Sequence, residues 1–199
     1  MGKILTLIVA LIAVGCAAEP VPRNLDTLVQ QGDLYLESET MTPYSGPVFK
    51  EADDDSRKVV FQAVLKNGEF HGPFVDYDPE SFRDRASLGI YQEGEYRNGL
   101  KEGRYAYFYP SGIILGEASY TLGLRDGSYT SWYESGELRS EWAYSNGERD
   151  GPYVFYHEDG QLREKGVMSA GERCGPVSYT HLRAHETRHE LVCRLLLEK

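Results

Sequence analysis

The chain has 199 residues and a formal net charge of −10, with 21 Lys and Arg against 31 Asp and Glu. This length is enough for one ordinary domain with its own core. An acidic surface is repelled by phosphates, so the charge argues against a nucleic-acid partner. High contents of glycine and tyrosine, with 21 and 15 residues, are typical of a protein built from many short strands.

The N-terminus has the pattern of an export signal. Residues 1–3 include one lysine, and residues 4–14 are apolar except for one threonine, a stretch too short to span a bilayer. The small residues just before Cys16 resemble a bacterial lipobox, in which the cysteine is lipidated and becomes the mature N-terminus. An ordinary secretory signal that happens to contain Cys16 is the alternative. We therefore expect a signal peptide over residues 1–15, forming a helix, and a membrane anchor at Cys16.

This resemblance also implies a location. A lipidated protein of this kind lies in the bacterial cell envelope, and Ala17 in place of aspartate implies the outer membrane if the organism is Gram-negative. The chain has two further cysteines, Cys174 and Cys193. With Cys16 lipidated, no even set of thiols belongs to the folded body, so we expect packing alone to hold it together.

Glycines recur every 24 residues through the second half of the chain, which indicates that one structural unit is copied several times. Looser copies begin at Tyr44 and Leu65, and residues 78–89 form the predicted insertion before the regular copies. Residues 16–43 are the predicted tether and first strand, and residues 44–177 are the predicted repeat domain. The three glycine series are Gly99, Gly123, Gly147, Gly171; Gly103, Gly127, Gly151, Gly175; and Gly112, Gly136, Gly160.

Each unit holds two predicted strands. Residues 129–133 form an aromatic strand, and Gly136 then supplies the positive φ that a tight hairpin needs. Residues 138–144 alternate between two faces, which predicts a second strand with one face packed. Residues 146–151 form the predicted turn to the next unit. The fold class that follows is all-β, an antiparallel meander of β-hairpin repeats with a 24-residue period.

The unit resembles the MORN-repeat variant family, whose copies of Tyr-x-Asn-Gly-x-Lys/Arg-Asp/Glu-Gly-x-Tyr-x-x-Tyr-Tyr form a twisted β meander. Copies that begin at Tyr96, Tyr120 and Tyr144 align without gaps, and the resemblance extends over roughly residues 44 to 177. It implies a repeat surface without a catalytic cluster. Some relatives carry the label "antitoxin-like", which makes an antitoxin or immunity role the alternative function.

The last 22 residues, 178–199, break the period. They contain His185, Glu186 and His189 in an H-E-x-x-H pattern, which on a helix can bind zinc with the glutamate as general base. No zincin-like scaffold precedes the pattern, and the stretch resembles a translated sequencing adapter. We therefore interpret it as a non-native tail with a helical composition and as a false metal site. A zinc hydrolase that uses this motif is the remote alternative.

The other candidates for catalytic or metal-binding residues are weak. His71 occupies the Asp/Glu position of its repeat and is a predicted turn residue. The acidic run at residues 53–55 lacks the spaced ligands of a calcium loop. We expect no cofactor and no resident metal.

We expect a non-enzymatic envelope lipoprotein whose repeat surface binds an unidentified protein partner, because aromatic columns recur and tyrosine-rich faces make good contact surfaces. The residues predicted to form that surface are Tyr105, Tyr107, Tyr109, Tyr129, Trp132, Tyr133, Tyr153 and Tyr156.

Overall fold

The computed structural model describes residues 20–52, 58–77 and 89–179, with side chains described as far as Cys174. These ranges contain fifteen strands, one 3₁₀ turn at Leu25–Thr27 and no α-helix. The expected signal helix, Cys16 and the tail lie outside the described residues. The strands are β1 (Arg23–Asn24), β2 (Val29–Gln31), β3 (Leu34–Leu36), β4 (Gly46–Glu51), β5 (Val59–Lys66), β6 (Glu69–Phe70), β7 (Gly72–Tyr77), β8 (Ile90–Arg97), β9 (Leu100–Phe108), β10 (Ile114–Thr121), β11 (Leu124–Trp132), β12 (Leu138–Ser145), β13 (Glu148–Tyr156), β14 (Leu162–Ser169) and β15 (Glu172–Tyr179).

Thirteen of the strands form one open sheet. From β4 to β15 each strand pairs antiparallel with the next in sequence, except that β6 pairs only with β5. Strand β1 adds to β4 in parallel, and β2 and β3 form a separate hairpin. The all-β antiparallel meander predicted from the glycine period is confirmed.

Two-residue turns close one end of the hairpins. Asn98 and Asn146 adopt φ of 50° and 49°, and each is followed by a glycine with positive φ. This is the type I′ geometry, whose twist matches that of the flanking strands. Strand β13 already begins at Glu148, so the predicted turn over residues 146–151 is wrong beyond its first two residues. The rest is strand because Glu148 and Arg149 pair with β12 and Gly151 pairs with β14.

Successive turns are joined by backbone hydrogen bonds. The amide of Gly123 donates to the carbonyl of Lys101 at 2.9 Å, and that of Gly147 donates to the carbonyl of Arg125 at 2.8 Å. Gly171 repeats the bond to Arg149 at 2.9 Å. These bonds fix how each hairpin sits on the one before it.

Side chains in the turns add to this connection. The Oδ1 of Asp126 accepts from the amide of Asn146 at 3.4 Å. The Nδ1 of His71 accepts from the amide of Asn98, also at 3.4 Å, in the equivalent position of an earlier unit. The prediction that His71 is a turn residue is wrong, because His71 lies between β6 and β7 and the turn of that unit is formed by residues 67 and 68.

One face of the sheet, here called the aromatic face, carries the core. Tyr105 is fully buried on it and lies against Gly94, where a Cβ atom would come within 2.7 Å of the ring. Tyr153 lies in the same way against Gly166, where a Cβ atom would come within 2.8 Å of the ring. Large rings therefore cover small residues of the neighbouring strand. The central row of this face, read across the paired strands, is Tyr105, Ala118, Tyr129, Trp142, Tyr153 and Gly166.

The N-terminal segment belongs to the folded body. Leu25 and Leu28 are buried in the same cluster as Tyr44 and Val48. The chain from Arg23 onward is therefore part of the sheet and its core, and the expected tether does not extend that far.

Cys174 corrects the expectation of a fold without disulfides. Its side chain is buried at the edge strand β15, and it is disulfide-bonded. Packing is thus not the only constraint on the last described unit.

Leu122 and Ala170 occupy the turn position that asparagine fills at residues 98 and 146, with φ of 50° and 46°. A left-handed conformation costs an ordinary residue about 1–2 kcal/mol, and asparagine relieves part of it. We expect Leu122→Asn to raise the free energy of unfolding by about 1 kcal/mol in urea denaturation. The reverse change, Asn146→Leu, serves as the control and should lower it; equal stability in all three proteins would contradict this account.

Burial, followed by the influence of Tyr96, raises the pKa of the Tyr105 phenol well above its ordinary value of 10.0. The unfolded chain then ionises first, so the contribution of Tyr105 to stability is complete below pH 10 and is lost as the pH rises above it. We expect urea midpoints to fall between pH 9 and pH 11, and to fall less steeply in Tyr105→Phe. A midpoint that does not change over this range would contradict the prediction.

Candidate interaction surface

Two of the residues predicted to form the contact surface lie in the core. Tyr105 is 0% exposed and Tyr153 is 3% exposed. The hydroxyl of Tyr105 donates to the carbonyl of Glu95 at 2.9 Å, and that of Tyr153 donates to the carboxylate of Glu164 at 2.8 Å. Both rings lie flat on glycine, so they cannot meet a partner. The prediction is wrong for these two residues.

The other six predicted residues are half-buried. Tyr107 and Tyr129 lie on the aromatic face next to the buried rings. The hydroxyls of Tyr109 and Tyr133 donate to backbone carbonyls in the next repeat, those of Trp132 and Tyr156, at 3.0 and 2.8 Å. The latter two tyrosines therefore tie one hairpin to the next, and part of their polar surface is already used.

A second periodic set lies on the aromatic face, and we call it the cation–tyrosine row. Basic residues recur every 24 residues, and each faces a residue across its hairpin that is also 24 residues from the next. Each pair is displaced by two residues along the strands from the pair before it, since Tyr120 lies opposite both Gly103 and Arg125, so the pairs form an oblique line across the sheet. The row consists of Tyr96 with Lys101, Tyr120 with Arg125, Tyr144 with Arg149, and Met168 with Arg173.

Each cation of the row lies over aromatic rings. The Nζ of Lys101 is 4.8 Å from the ring centroid of Tyr105 and 5.1 Å from that of Tyr120. The Cζ of Arg149 is 3.9 Å from the ring centroid of Trp142. Such contacts contribute roughly 0.5–1 kcal/mol each at exposed sites. The cations are thus held in place by the rings beneath them.

Tyrosine hydroxyls hold the guanidinium groups from one side. The Nε of Arg125 donates to the Tyr120 hydroxyl at 3.2 Å, and the Nε of Arg149 donates to the Tyr144 hydroxyl at 3.3 Å. Burial by itself raises the pKa of Tyr120, but hydrogen bonds to Tyr107 and Arg125 outweigh it and leave that pKa below 10.0. The row is therefore an ordered polar line on an otherwise aromatic face.

Three cations of the row have no carboxylate partner among the described residues. The ion pairs of that part of the chain are Arg23 with Glu37, Arg104 with Glu117, and Arg173 with Glu164 at 3.1 Å. Lys101, Arg125 and Arg149 make none of them. In a protein of net charge −10, carboxylates are abundant, so a line of cations without them is an unusual surface.

The sequence contains a signal for this row that is separate from its aromatic residues. Basic residues recur at positions 101, 125, 149 and 173, and the repeat pattern itself contains the Lys/Arg position. The repeat pattern alone does not show that these basic side chains lie on the same face of the sheet as the aromatic rings. That follows from the register of the paired strands.

No group of three His, Cys, Asp or Glu side chains in the described part of the chain could hold a metal ion. The H-E-x-x-H residues His185, Glu186 and His189, and the acidic run at residues 53–55, lie outside the described ranges. Over the ranges that the structure describes, no helix has the length and apolar character needed to cross a membrane.

Comparison with known proteins finds a similarity between the repeats of this chain and one protein family. A family model described as "MORN repeat variant" matches residues 101–121, 125–146 and 149–168. No curated protein matches. A solved structure titled "Crystal structure of GtfA/B complex bound to UDP and GlcNAc" is similar over 69% of this chain, with 14% identity and a TM-score of 0.20. The chain covers 22% of that protein, and so low a score supports no conclusion. Residues 101–168 are therefore similar to three consecutive copies of the MORN repeat variant.

Proposed function

We propose that the protein is a non-enzymatic lipoprotein of the bacterial cell envelope, and that its repeat surface binds a protein partner. Cys16 carries the lipid and holds the protein at the membrane, in the outer membrane if the organism is Gram-negative. The sheet then presents its two faces to the surrounding compartment.

The cation–tyrosine row is the observation that carries this proposal. It is a line of ordered side chains that repeats with the fold, and Lys101, Arg125 and Arg149 lack carboxylate partners among the described residues. Arginine and tyrosine are enriched where proteins meet other proteins. A surface that recurs with each repeat suits an elongated partner.

Metabolic labelling tests the proposed lipid anchor. Cells grown with a palmitate analogue should give a labelled protein in the membrane fraction, because the thiol of Cys16 takes the lipid. Cys16→Ser should lose both the label and membrane association. Cys193→Ser, which leaves Cys16 in place, should keep both; a labelled Cys16→Ser protein would overturn the anchor.

Photo-crosslinking in cells tests the partner-binding face. A photoreactive phenylalanine analogue in place of Tyr144 lies on the aromatic face beside Arg149. The matched control is the same analogue in place of Glu141, which is exposed on the opposite face of the same strand. We expect a discrete adduct with an envelope protein from position 144 and none from position 141.

Two results would contradict this prediction. If neither position gives an adduct, the sheet has no bound partner under these conditions of growth and the proposal fails. If both positions give the same adduct with equal yield, the aromatic face is not the contact surface.

A further inference from the structure

We propose that Asn98 and Asn146 are the sites at which this protein deamidates, whereas Asn67 is protected by the fold. These three residues form the Asn-Gly sequences of the chain. The reaction needs only water, and it proceeds when the turn that holds the asparagine separates from the preceding part of the sheet. The inference does not depend on the proposed function, because it concerns the covalent chemistry of the chain itself.

Deamidation of an Asn-Gly sequence starts at the backbone nitrogen of the glycine. This nitrogen loses its proton to hydroxide, and its electron pair attacks the Cγ atom of the asparagine. The side-chain nitrogen takes up a proton from water and leaves as ammonia, so that a five-membered succinimide ring remains. Water then opens the ring at one of its two carbonyls and gives aspartate or isoaspartate. Glycine favours this ring closure because it has no Cβ atom to obstruct the attack.

In all three turns, the attacking nitrogen is held by a hydrogen bond to an earlier part of the sheet. While this bond exists, the N–H group points at a carbonyl oxygen, and a rotation toward the asparagine side chain breaks the bond. The population of the locally opened turn therefore sets the rate of reaction. The three bonds run from Gly68 to the carbonyl of Tyr44, from Gly99 to that of Phe70 and from Gly147 to that of Arg125, each at 2.8 Å.

The turn of Asn67 is enclosed by the N-terminal segment. Gly68 is buried, and its carbonyl accepts a hydrogen bond from the amide of Tyr35 at 2.9 Å. A Cβ atom at Gly68 would lie only 3.0 Å from the carbonyl oxygen of Tyr35. The amide of Asn67 itself donates to the Oγ of Ser45 at 2.8 Å. Opening this turn therefore requires the N-terminal segment to move as well, which makes the open form rare.

The turns of Asn98 and Asn146 are open to solvent. Both asparagines are exposed, and so are the glycines that follow them, Gly99 and Gly147. A Cβ atom at Gly99 would meet no heavy atom within 4 Å. Besides the backbone bond, one longer contact of 3.4 Å from the asparagine amide to a side chain of the preceding unit holds each turn. These turns can therefore separate from the sheet without any other segment moving.

Isoaspartate makes the opening of a turn permanent. It adds one carbon atom to the backbone path, and the tight geometry of a two-residue type I′ turn does not accommodate a longer path. At residue 146 the new carboxylate also arises near Asp126, whose Oδ1 lies 3.4 Å from the amide nitrogen of that residue. Like charges at such a distance repel one another. The modified hairpin therefore does not return to its place on the preceding one.

Peptide mass spectrometry of the full-length protein in detergent tests the proposal. The protein is kept at mildly alkaline pH in water enriched in heavy oxygen, which labels the aspartate and isoaspartate that form during incubation. We expect Asn98 and Asn146 to react at least about tenfold faster than Asn67. In urea, where the turns are absent, the three rates should agree within about threefold.

Two reciprocal variants test whether contacts with the preceding unit control the reaction. His71→Ala removes the acceptor of the Asn98 amide, and Asp126→Ala removes that of the Asn146 amide. We expect each variant to raise the rate at its own turn about twofold or more and to leave the other turn unchanged, so each is the control for the other. Circular dichroism checks the fold. If a variant does not fold, the comparison of the three sites in the unchanged protein decides.

Three results would overturn the inference. If Asn67 reacts as fast as Asn98 and Asn146 in the folded protein, the fold does not protect it. If heavy oxygen enters all three sites in urea but none of them in the folded protein, Asn98 and Asn146 are not sites of modification. If both folded variants leave both rates unchanged, contacts with the preceding unit do not control the opening of the turns.

Discussion

The structure depends on how a single sheet buries an apolar face with side chains from its own strands. Tyr105 and Tyr153 cover this face by lying along the sheet over Gly94 and Gly166, where any Cβ atom would collide with the ring. Burial of a large apolar side chain contributes roughly 1.5–3 kcal/mol, and here it needs a residue from the next strand. No hairpin can bury its own face, so stability is a property of neighbours in the array.

The basic residues connect groups of aromatic rings that do not contact one another directly. Ring contacts among the described residues form three groups, and no contact between rings joins Tyr120 to Tyr129. Arg125 bridges that gap, because it hydrogen-bonds to Tyr120 and lies over Tyr129 at 5.8 Å. Arg149 joins Tyr144 to Trp142 in the same manner. The cations of the row therefore belong to the packing of the sheet as well as to its surface.

The glycine period was sufficient to predict the meander, because each glycine marks a turn and the turns fix the strand order. It was not sufficient to predict which tyrosines are buried. Tyr105 and Tyr107 have the same parity on β9 and therefore the same face, yet only Tyr105 is fully buried. The difference comes from Gly94 on the neighbouring strand, and strand register is not visible in the repeat unit alone. The polar residues after Gly147 form strand rather than the predicted turn for a related reason, since an open sheet accepts polar side chains on strands.

Because the cations pack against rings of the sheet, a ligand can bind several of them at once only where the hairpins are formed. Lys101 and Arg125 each lie over rings from two hairpins, so the distance between neighbouring cations is fixed only while both hairpins are formed. A ligand that spans three cations thus recognises three ordered repeats at once. Terminal units of a repeat array open more readily than central ones. By mass action, a ligand that spans three cations therefore stabilises more repeats of the sheet than a ligand of one cation does.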